Sequence, residues 1–385
     1  MNQNKEAVSL TFSPDLKALT AGQILRVSPQ DEKACRSLLR GDFSTEWCAR
    51  TVPQMKMESG SRQSYVFEII PDPGWSGPHK FLVALKTLKR QDFILLFFPL
   101  LLVLFQNLKM DLLPKLSNLL LCFVGLISLV LSLRFRNEYV DHLRGTDRWN
   151  PEFARSPLFQ GHLRAFEINR WAFVFLGLAF LSLLGLLFSN PYIALIAVPA
   201  GLLAFYTQYF HLSTFKERPY GEVLVFALFG PLFLSGLELS LFQRVQFWNF
   251  VDGFIVGLTS MFLLNLKVFS NFLYLAQVHS QNTLIRFGFD RSKEYLFFSH
   301  SLILILFCIY QFFVFRNELG GSFILFGLAA MSVILSIRFW LVYKLCQSSA
   351  GSAVKWIQGR GTESIYFIYL TWLGLQLWLV FAIGR

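Results

Sequence analysis

The sequence predicts an all-α polytopic membrane protein that carries a small α+β region at its amino terminus. Hydrophobic residues make up 54% of the 385 residues. Charged residues make up only 15%, whereas soluble domains have about 25%. The apolar residues fall into runs that are long enough to cross a bilayer. These observations exclude an ordinary soluble globular protein.

Nine apolar segments are candidate spans, each close to the length that a tilted membrane helix requires. Two breaks, at Ser189-Asn190-Pro191 and at Gly320-Gly321, separate neighbouring segments. The predicted transmembrane domain, residues 92–385, therefore contains spans at residues 92–108, 114–135, 170–189, 191–210, 221–242, 250–275, 295–315, 321–345 and 364–383.

Residues 1–78 are mixed and polar, which predicts a separate cytosolic domain and no cleavable signal peptide. Residues 7–12, 23–27 and 65–70 have the composition of short strands, and residues 29–39 that of a helix. Residues 79–91 are basic and amphipathic, and we expect this linker to lie on the membrane surface.

The placement of basic residues predicts the orientation. With a cytoplasmic amino terminus, most Lys and Arg of the connecting segments fall on the cytoplasmic side. We therefore expect an integral protein of the inner (cytoplasmic) membrane whose carboxyl terminus lies outside. The net charge of +11 indicates topology and contact with anionic membrane lipid, and not nucleic acid. The five cysteines have no metal-binding spacing, and we predict no disulfides.

Residues 134–148 form a dense polar cluster directly after the apolar run 116–133. Asn137 and Asp141 are four residues apart and share one helix face. Asp147 follows after Gly145, where the chain can turn. Oxygen groups of this kind suit Mg²⁺ together with a phosphorylated ligand. The spacing fits equally well a positively charged loop with a few solvated acids. The basic residues that could neutralise a diphosphate are Arg134, Arg136, Arg144 and Arg148.

The stretch Asn137-Glu138-Tyr139-Val140-Asp141, followed by Arg144-Gly145-Thr146-Asp147, resembles the first aspartate motif of the UbiA family of intramembrane prenyltransferases. It is most similar to the branch that prenylates dihydroxynaphthoate in menaquinone synthesis. A second block, Tyr206-Thr207 with Tyr220-Gly221-Glu222 and Gly230, is also similar to that branch. The resemblance covers roughly residues 80–385. It implies Mg²⁺-dependent transfer of a polyprenyl group from polyprenyl diphosphate to an aromatic acceptor, with Asn137, Asp141 and Asp147 as catalytic metal ligands.

The second aspartate motif of that family is missing, because residues 253–289 contain no Asp or Glu. Lys267 and Asn271 are four residues apart and could contact the diphosphate directly, a cation replacing a metal. The alternative is that this half of the site has been lost. Residues 282–288 retain a weak similarity to the segment that follows the motif. We predict that diphosphate is bound by Arg144, Lys267, Asn271 and Arg286.

Several further residues are candidates for the substrate pocket. Tyrosine rings can stabilise an allylic cation by cation–π contact, although each ring could instead be a packing residue or an interfacial anchor. Glu222 starts a helix, where a carboxylate also acts as a cap. We expect His300 to hydrogen-bond a neighbouring helix. The predicted pocket residues are Tyr206, Tyr209, Glu222, Asn265 and Tyr274.

The amino-terminal region is similar to the small TusA/SirA-type domain, but Phe12-Ser13-Pro14 stands where that family has Cys-Pro. Without the cysteine we expect docking or regulation through a protein partner, and not sulfur transfer. The alternative function for the whole chain is a catalytically inactive UbiA-like protein that binds a prenyl lipid or quinone. A transporter ranks last, because we expect no acidic residue at mid-span as a proton relay, with the one exception of Glu238 near the outer end of its helix.

Overall fold

The computed structural model describes residues 22–27, 31–51, 65–88, 90–108, 110–144, 156–205, 220–272, 282–316, 362–363 and 365–374. The strand predicted at residues 7–12, the span predicted at residues 321–345, and Tyr206, Tyr209 and Tyr274 lie outside these ranges. Two compact units divide the chain. The first unit comprises Met1–Phe93 and Gly125–Leu181, and the second comprises Ile94–Val124 and Ser182–Arg385.

The first unit contains a three-stranded antiparallel sheet of β1 (Ile24–Val27), β2 (Trp47–Thr51) and β3 (Tyr65–Pro71), in the order β1-β3-β2. Helix α1 (Glu32–Arg40) begins where the Asp31 side chain accepts a hydrogen bond from the Ala34 N–H, and it ends at left-handed Gly41. The strands predicted near residues 23–27 and 65–70 and the intervening helix are present. β2 was not predicted, because its five residues include a charged Arg50 and lack a strong apolar alternation.

Three helices of the first unit share one apolar cluster. They are α2 (Gly77–Leu85), the carboxyl-terminal half of α4 (Leu116–Arg144), and α5 (Ala165–Ser189). The linker predicted to lie on the membrane surface thus forms α2, which buries residues against the other two helices. The division into residues 1–78, 79–91 and 92–385 stays a prediction. The buried members of the cluster include Val83, Ala84, Phe135, Tyr139, Ile168 and Ala172.

The second unit is helical and is arranged around α9 (Phe247–Ser270), which packs against α7 (Gly221–Phe229), α8 (Pro231–Phe242) and α11 (Phe289–Arg316). Glycines permit α7 and α9 to approach each other closely. A Cβ added at Gly257 would lie 2.6 Å from the Phe226 carbonyl oxygen. The remaining helices are α3 (Arg90–Leu108), α6 (Ala194–Phe205), α10 (Thr283–Phe287) and α12 (Ile365–Gly374).

Within the described ranges, five helical segments are long and apolar enough to cross a membrane. Three shorter apolar helices accompany them, at Phe97–Leu108, Pro191–Phe205 and Ile365–Gly374. The prediction of a helical polytopic membrane protein is confirmed, whereas the count of nine spans stays a prediction. The five segments are Leu116–Leu143, Ala165–Ser189, Gly221–Phe242, Phe247–Ser270 and Phe289–Tyr310.

Candidate functional site

The first aspartate motif lies on the last turns of α4. This helix continues to Arg144, so Asn137 and Asp141 are one turn apart on a regular helix. Asp141 is buried, with 4% of its surface exposed. The buried Asn137 Oδ1 has no hydrogen-bond partner within the described ranges. An unsatisfied buried oxygen is costly. Asn137 and Asp141 therefore offer hard oxygen ligands of the kind that Mg²⁺ prefers.

Two other predicted residues of this motif are not among the described ones. Asp147 and the Arg144 side chain are outside the described residues. Among the residues that are described, no group of three or more His, Cys, Asp or Glu side chains could hold a metal ion. The structure thus places Asn137 and Asp141 one turn apart on α4, and the roles of Asn137, Asp141 and Asp147 as metal ligands stay predictions.

Glu138 is a buried acid of the motif that was not among the predicted site residues. Its Oε1 accepts a hydrogen bond from Ser156 Oγ at 2.6 Å, and its Oε2 lies 3.2 Å from Arg134 Nη2. Arg134 Nε also donates to the Thr87 carbonyl oxygen at 2.8 Å. Both carboxylate oxygens of Glu138 therefore contact protein groups. We interpret Glu138 as a structural residue that stabilises the region around the motif.

Arg136 is likewise engaged within the protein. Its Nη1 donates to Asn169 Oδ1 at 2.7 Å, and its guanidinium lies over the Tyr139 ring, 5.1 Å from the ring centroid. Arg134 and Arg136 are 7% and 5% exposed. Two of the four arginines that were candidates for diphosphate contact thus serve to join α4 to α5 and to Thr87 at the end of the α2 segment.

A second polar cluster forms within the helical unit around Glu222, at the start of α7. Glu222 is 4% exposed, and its Oε2 accepts a hydrogen bond from Thr283 Oγ1 at 3.2 Å. Tyr295 on α11 faces both Glu222 and the buried Asn265 on α9. The buried Glu222 Oε1 has no hydrogen-bond partner in the described part of the chain. Two predicted pocket residues, Glu222 and Asn265, are therefore brought together by Tyr295.

The segment after the missing second motif contributes to this cluster. Asn282 begins α10, where its Oδ1 accepts a hydrogen bond from the Leu284 N–H at 2.8 Å. This cap places Thr283 against Glu222. Arg286, in the last turn of α10, is exposed. The weak similarity of residues 282–288 to the family thus coincides with a helix that packs beside the Glu222 cluster.

Lys267 and Asn271 occupy the carboxyl-terminal end of α9. Lys267 is half-buried in the last turn, and Asn271 Nδ2 donates to the Lys267 carbonyl oxygen at 3.0 Å. Asn271 therefore caps the helix end with its amide. Lys267 follows Asn265 by two residues, which separates the two by about 200° around the helix. Lys267 is thus on a different side of α9 from Asn265, and its contact with diphosphate stays a prediction.

Buried polar residues also occur toward the other end of α9. Asn107, Glu238, Asn249 and Asp252 are fully buried. Glu238 Oε2 accepts a hydrogen bond from the Gln246 N–H at 2.8 Å, and Asn107 Oδ1 accepts one from Arg244 Nη2 at 2.8 Å. Glu238, which was considered above as a proton relay, instead accepts a hydrogen bond from the residue that precedes α9. Asn249 and Asp252 were missed, although a polar side chain in an apolar run is a recognisable signal.

Residues 96–358 match the UbiA prenyltransferase family. A comparison with curated proteins gives no match.

Solved structures share the fold at low sequence identity. A UbiA homolog from Archaeoglobus fulgidus bound to GPP and Mg²⁺ has 13% identity, a TM-score of 0.51, and coverage of 78% of this chain and 99% of that one. The same homolog bound to DMAPP and Mg²⁺ has 14% identity, the same coverage and a TM-score of 0.51. A digeranylgeranylglyceryl phosphate synthase has 15% identity, a TM-score of 0.53, and coverage of 77% and 98%. Because the matched region spans more than half of the sequence, the chain belongs to the UbiA prenyltransferase family.

Proposed function

We propose that this protein transfers a polyprenyl group from polyprenyl diphosphate to an aromatic acceptor of the 1,4-dihydroxy-2-naphthoate type, as in quinone biosynthesis. The observation that carries the proposal is the motif on α4. There the unsatisfied Asn137 Oδ1 lies one turn from the buried Asp141. Membership of a family of prenyltransferases supports the same reaction class.

Asn137, Asp141 and Asp147 would hold Mg²⁺, which when bound neutralises negative charge on the diphosphate leaving group. The Archaeoglobus homolog, whose structures contain GPP or DMAPP with Mg²⁺, supports both ligands. In place of a second acidic motif, this chain would use basic and amide groups on the diphosphate oxygens. The residues assigned to that task are Arg144, Lys267, Asn271 and Arg286.

The Glu222 cluster is the proposed acceptor site. Glu222 Oε1 is a buried acceptor without a described partner, so a hydroxyl group of an aromatic substrate can donate to it. A hydrogen bond of this kind increases the electron density of the ring that attacks the prenyl carbon. Asn265 and Tyr295 would orient the ring, and Tyr206, Tyr209 and Tyr274 would line the pocket around the prenyl cation.

The apolar helices would hold the prenyl chain within the bilayer. We place the protein in the inner (cytoplasmic) membrane, with the amino terminus and the motif on the cytoplasmic side and the carboxyl terminus outside. In that orientation the diphosphate leaves into the cytoplasm. The charged end of α4, with Asn137 and Asp141, then lies where a phosphorylated substrate is soluble.

A second candidate function is binding of a prenyl lipid or quinone without catalysis. One observation favours it: the carboxyl-terminal half of α9 and the segment that follows contain no acid between residues 253 and 289. A protein with one half of a metal site can retain an apolar cavity for the chain while it has lost turnover. The two functions differ in whether Mg²⁺ is required.

The test is an assay of purified protein with geranylgeranyl diphosphate, Mg²⁺ and 1,4-dihydroxy-2-naphthoate. We expect a prenylated product that Asp141→Asn reduces by about 100-fold or more, the scale of a lost charge-stabilising group. The matched control is Asp111→Asn, the same chemical change at an exposed loop residue. Absence of turnover with a panel of aromatic acceptors, together with retained prenyl diphosphate binding, would overturn the enzyme in favour of the binding protein.

A further inference from the structure

We propose that the amino-terminal sheet region is a brace for the first aspartate motif, and that Arg164 is its positioning residue. This inference rests on the proposed function only for its activity measurements. The contacts that carry it all lie within the first compact unit. We call the set of contacts that Arg164 makes with Ser44, Thr45 and Asp72 the brace contact.

Arg164 immediately precedes α5 and is 8% exposed. Its Nη1 donates to the Ser44 carbonyl oxygen at 2.7 Å, and its Nη2 donates to the Thr45 carbonyl oxygen at 2.6 Å. Nη2 also lies 2.6 Å from Asp72 Oδ2. One buried guanidinium is therefore shared between the α1–β2 turn and the residue after β3. Such multiple charge-assisted bonds fix both distance and orientation.

A second ion pair, between α2 and α5, lies beside the brace contact and shares Asp72 with it. Lys80 Nζ on α2 lies 2.8 Å from Glu167 Oε1 on α5 and 3.7 Å from Asp72 Oδ1. Glu167 Oε2 also accepts a hydrogen bond from the Arg164 backbone N–H at 3.2 Å. Glu167 thus contacts both the Arg164 N–H at the start of α5 and the Lys80 side chain of α2. Asp72 is the common partner of both basic side chains.

The surfaces also fit sterically. Gly161 has a positive φ of 73°, and a Cβ added there would lie 2.7 Å from Ile70 Cδ1 on β3. A Cβ added at Gly41 would lie 3.1 Å from Arg164 Cβ. Contacts this close require the segment 156–164 to lie directly against the sheet region. Leu143, near the end of α4, packs against both the sheet core and the α2–α4–α5 cluster.

The brace contact is connected to the metal-binding residues through Ser156. Segment 156–164 begins at Ser156, which donates to Glu138, and it ends at Arg164. Glu138 lies between Asn137 and Asp141 on α4, and its partner Arg134 holds the Thr87 carbonyl oxygen. These contacts hold the last turns of α4 in one position, so the brace would pre-organise Asn137 and Asp141.

Docking can be measured without any activity, by using Cys48 as a reporter. Cys48 on β2 is 3% exposed and lies beside Arg164. Burial is the largest influence on this thiol and raises its pKa, so the docked thiol reacts slowly with maleimide. In the full-length protein we expect Arg164→Ala to increase maleimide labelling of Cys48, followed by mass spectrometry, by about 10-fold through local opening. Arg36→Ala, at an exposed arginine of the same region, should leave it unchanged.

The positioning role is measured by kinetic constants. We expect Arg164→Ala to raise the KM for geranylgeranyl diphosphate and the Mg²⁺ concentration at half-maximal rate by about 10-fold, because ligand geometry is loosened. Arg164→Lys should restore part of this loss, since it keeps the ion pair but not both carbonyl contacts. If Arg164→Ala makes Cys48 reactive but leaves the Mg²⁺ and diphosphate dependence normal, docking of the sheet region does not position the ligands. That result would overturn the brace.

The two proposals fail in different ways. If Cys48 labelling does not change in Arg164→Ala, the brace contact is wrong whatever the activity. If the wild type has no transferase activity, the proposed function fails. The same variants are then compared by Mg²⁺-dependent binding of geranylgeranyl diphosphate. Equal affinity of wild type and Arg164→Ala, or no binding by either, would overturn the brace in that case.

Discussion

Ser156 donates a hydrogen bond to Glu138, with 2.6 Å between Ser156 Oγ and Glu138 Oε1. This bond joins the segment before α5 to α4, the helix that carries the motif. Glu138 has its other oxygen on Arg134. Both oxygens of this acid within the motif thus contact protein groups, whereas Asn137 and Asp141 are the oxygen ligands that we propose for the metal.

Removing the Glu138 carboxylate should destabilise the protein strongly. Arg134 and Glu138 side chains are 8% and 5% exposed, so Glu138→Ala leaves a buried guanidinium without its acid. The expected loss in the free energy of unfolding is about 3–5 kcal/mol, measured by thermal or denaturant unfolding in detergent. Glu32→Ala, at an exposed i,i+4 pair, should cost less than about 1 kcal/mol. Equal effects of the two substitutions would contradict the structural role of Glu138.

Gly257 should not tolerate a methyl group. The added Cβ would lie 2.6 Å from the Phe226 carbonyl oxygen, and a backbone atom cannot move away easily. We expect Gly257→Ala to lower the free energy of unfolding by about 1–3 kcal/mol through overpacking. Gly236→Ala on α8 is the control, because its Cβ meets Ile196 Cγ2 at an ordinary 3.7 Å. If Gly257→Ala is as stable as Gly236→Ala, the close packing of α7 on α9 is wrong.

The pH dependence of the protein's stability should reflect the ionisation of Asp72. Burial alone would raise the pKa of Asp72, but the Gly74 backbone N–H and the charges of Arg164 and Lys80 hold that pKa below its usual 3.8. A lowered folded pKa means that this acid stabilises the folded state above pH 3.8, and that the stabilisation is lost as pH falls through the folded value. Among the described residues, Cys48 also lies near Asp72, and Glu167 shares Lys80 with it.

The measurement compares melting temperatures of wild type and Asp72→Asn across pH. Asp72→Asn should melt lower at pH 7, and the difference should shrink as the pH falls below 3.8. A difference that stays constant down to low pH would show that the ionised form of Asp72 is not what holds the region.

Substitutions in the second unit should separate the two substrates. Glu222→Gln removes the proposed acceptor contact, so the kcat/KM for the aromatic acceptor should fall by about 10–100-fold while the KM for prenyl diphosphate is unchanged. Lys267→Ala should instead raise the KM for prenyl diphosphate and leave the kcat/KM for the aromatic acceptor unchanged. Lys115→Ala, at an exposed lysine before α4, is the control for loss of a positive charge. A Lys267→Ala protein with normal diphosphate dependence would end the idea that a cation replaces the missing metal site.

Local pattern predicted much of the helical unit and of the motif. The positions of Asn137 and Asp141 on one face follow from the 3.6-residue period, which needs no tertiary information. Long apolar runs likewise indicate membrane helices by length. The proximity of Glu222 and Thr283 could not be predicted from local pattern, because 61 residues separate them along the chain.

The contacts of the brace could not be predicted from the sequence. Arg164 meets Asp72, Ser44 and Thr45 only because the sheet region packs on the segment before α5. Basic residues near a membrane helix also have an ordinary explanation in topology, which concealed this role. Glu138 was overlooked for a related reason: a carboxylate within a metal motif suggests a ligand, and only the positions of Arg134 and Ser156 show that it is already used.

We propose that Asn137 and Asp141 bind diphosphate through Mg²⁺. The most direct measurement is the affinity for geranylgeranyl diphosphate with Mg²⁺ and with EDTA, in wild type and in Asp141→Asn. We expect EDTA to weaken wild-type binding by at least about 10-fold, and Asp141→Asn to bind weakly with or without the metal. Equal affinity in all four measurements would contradict it.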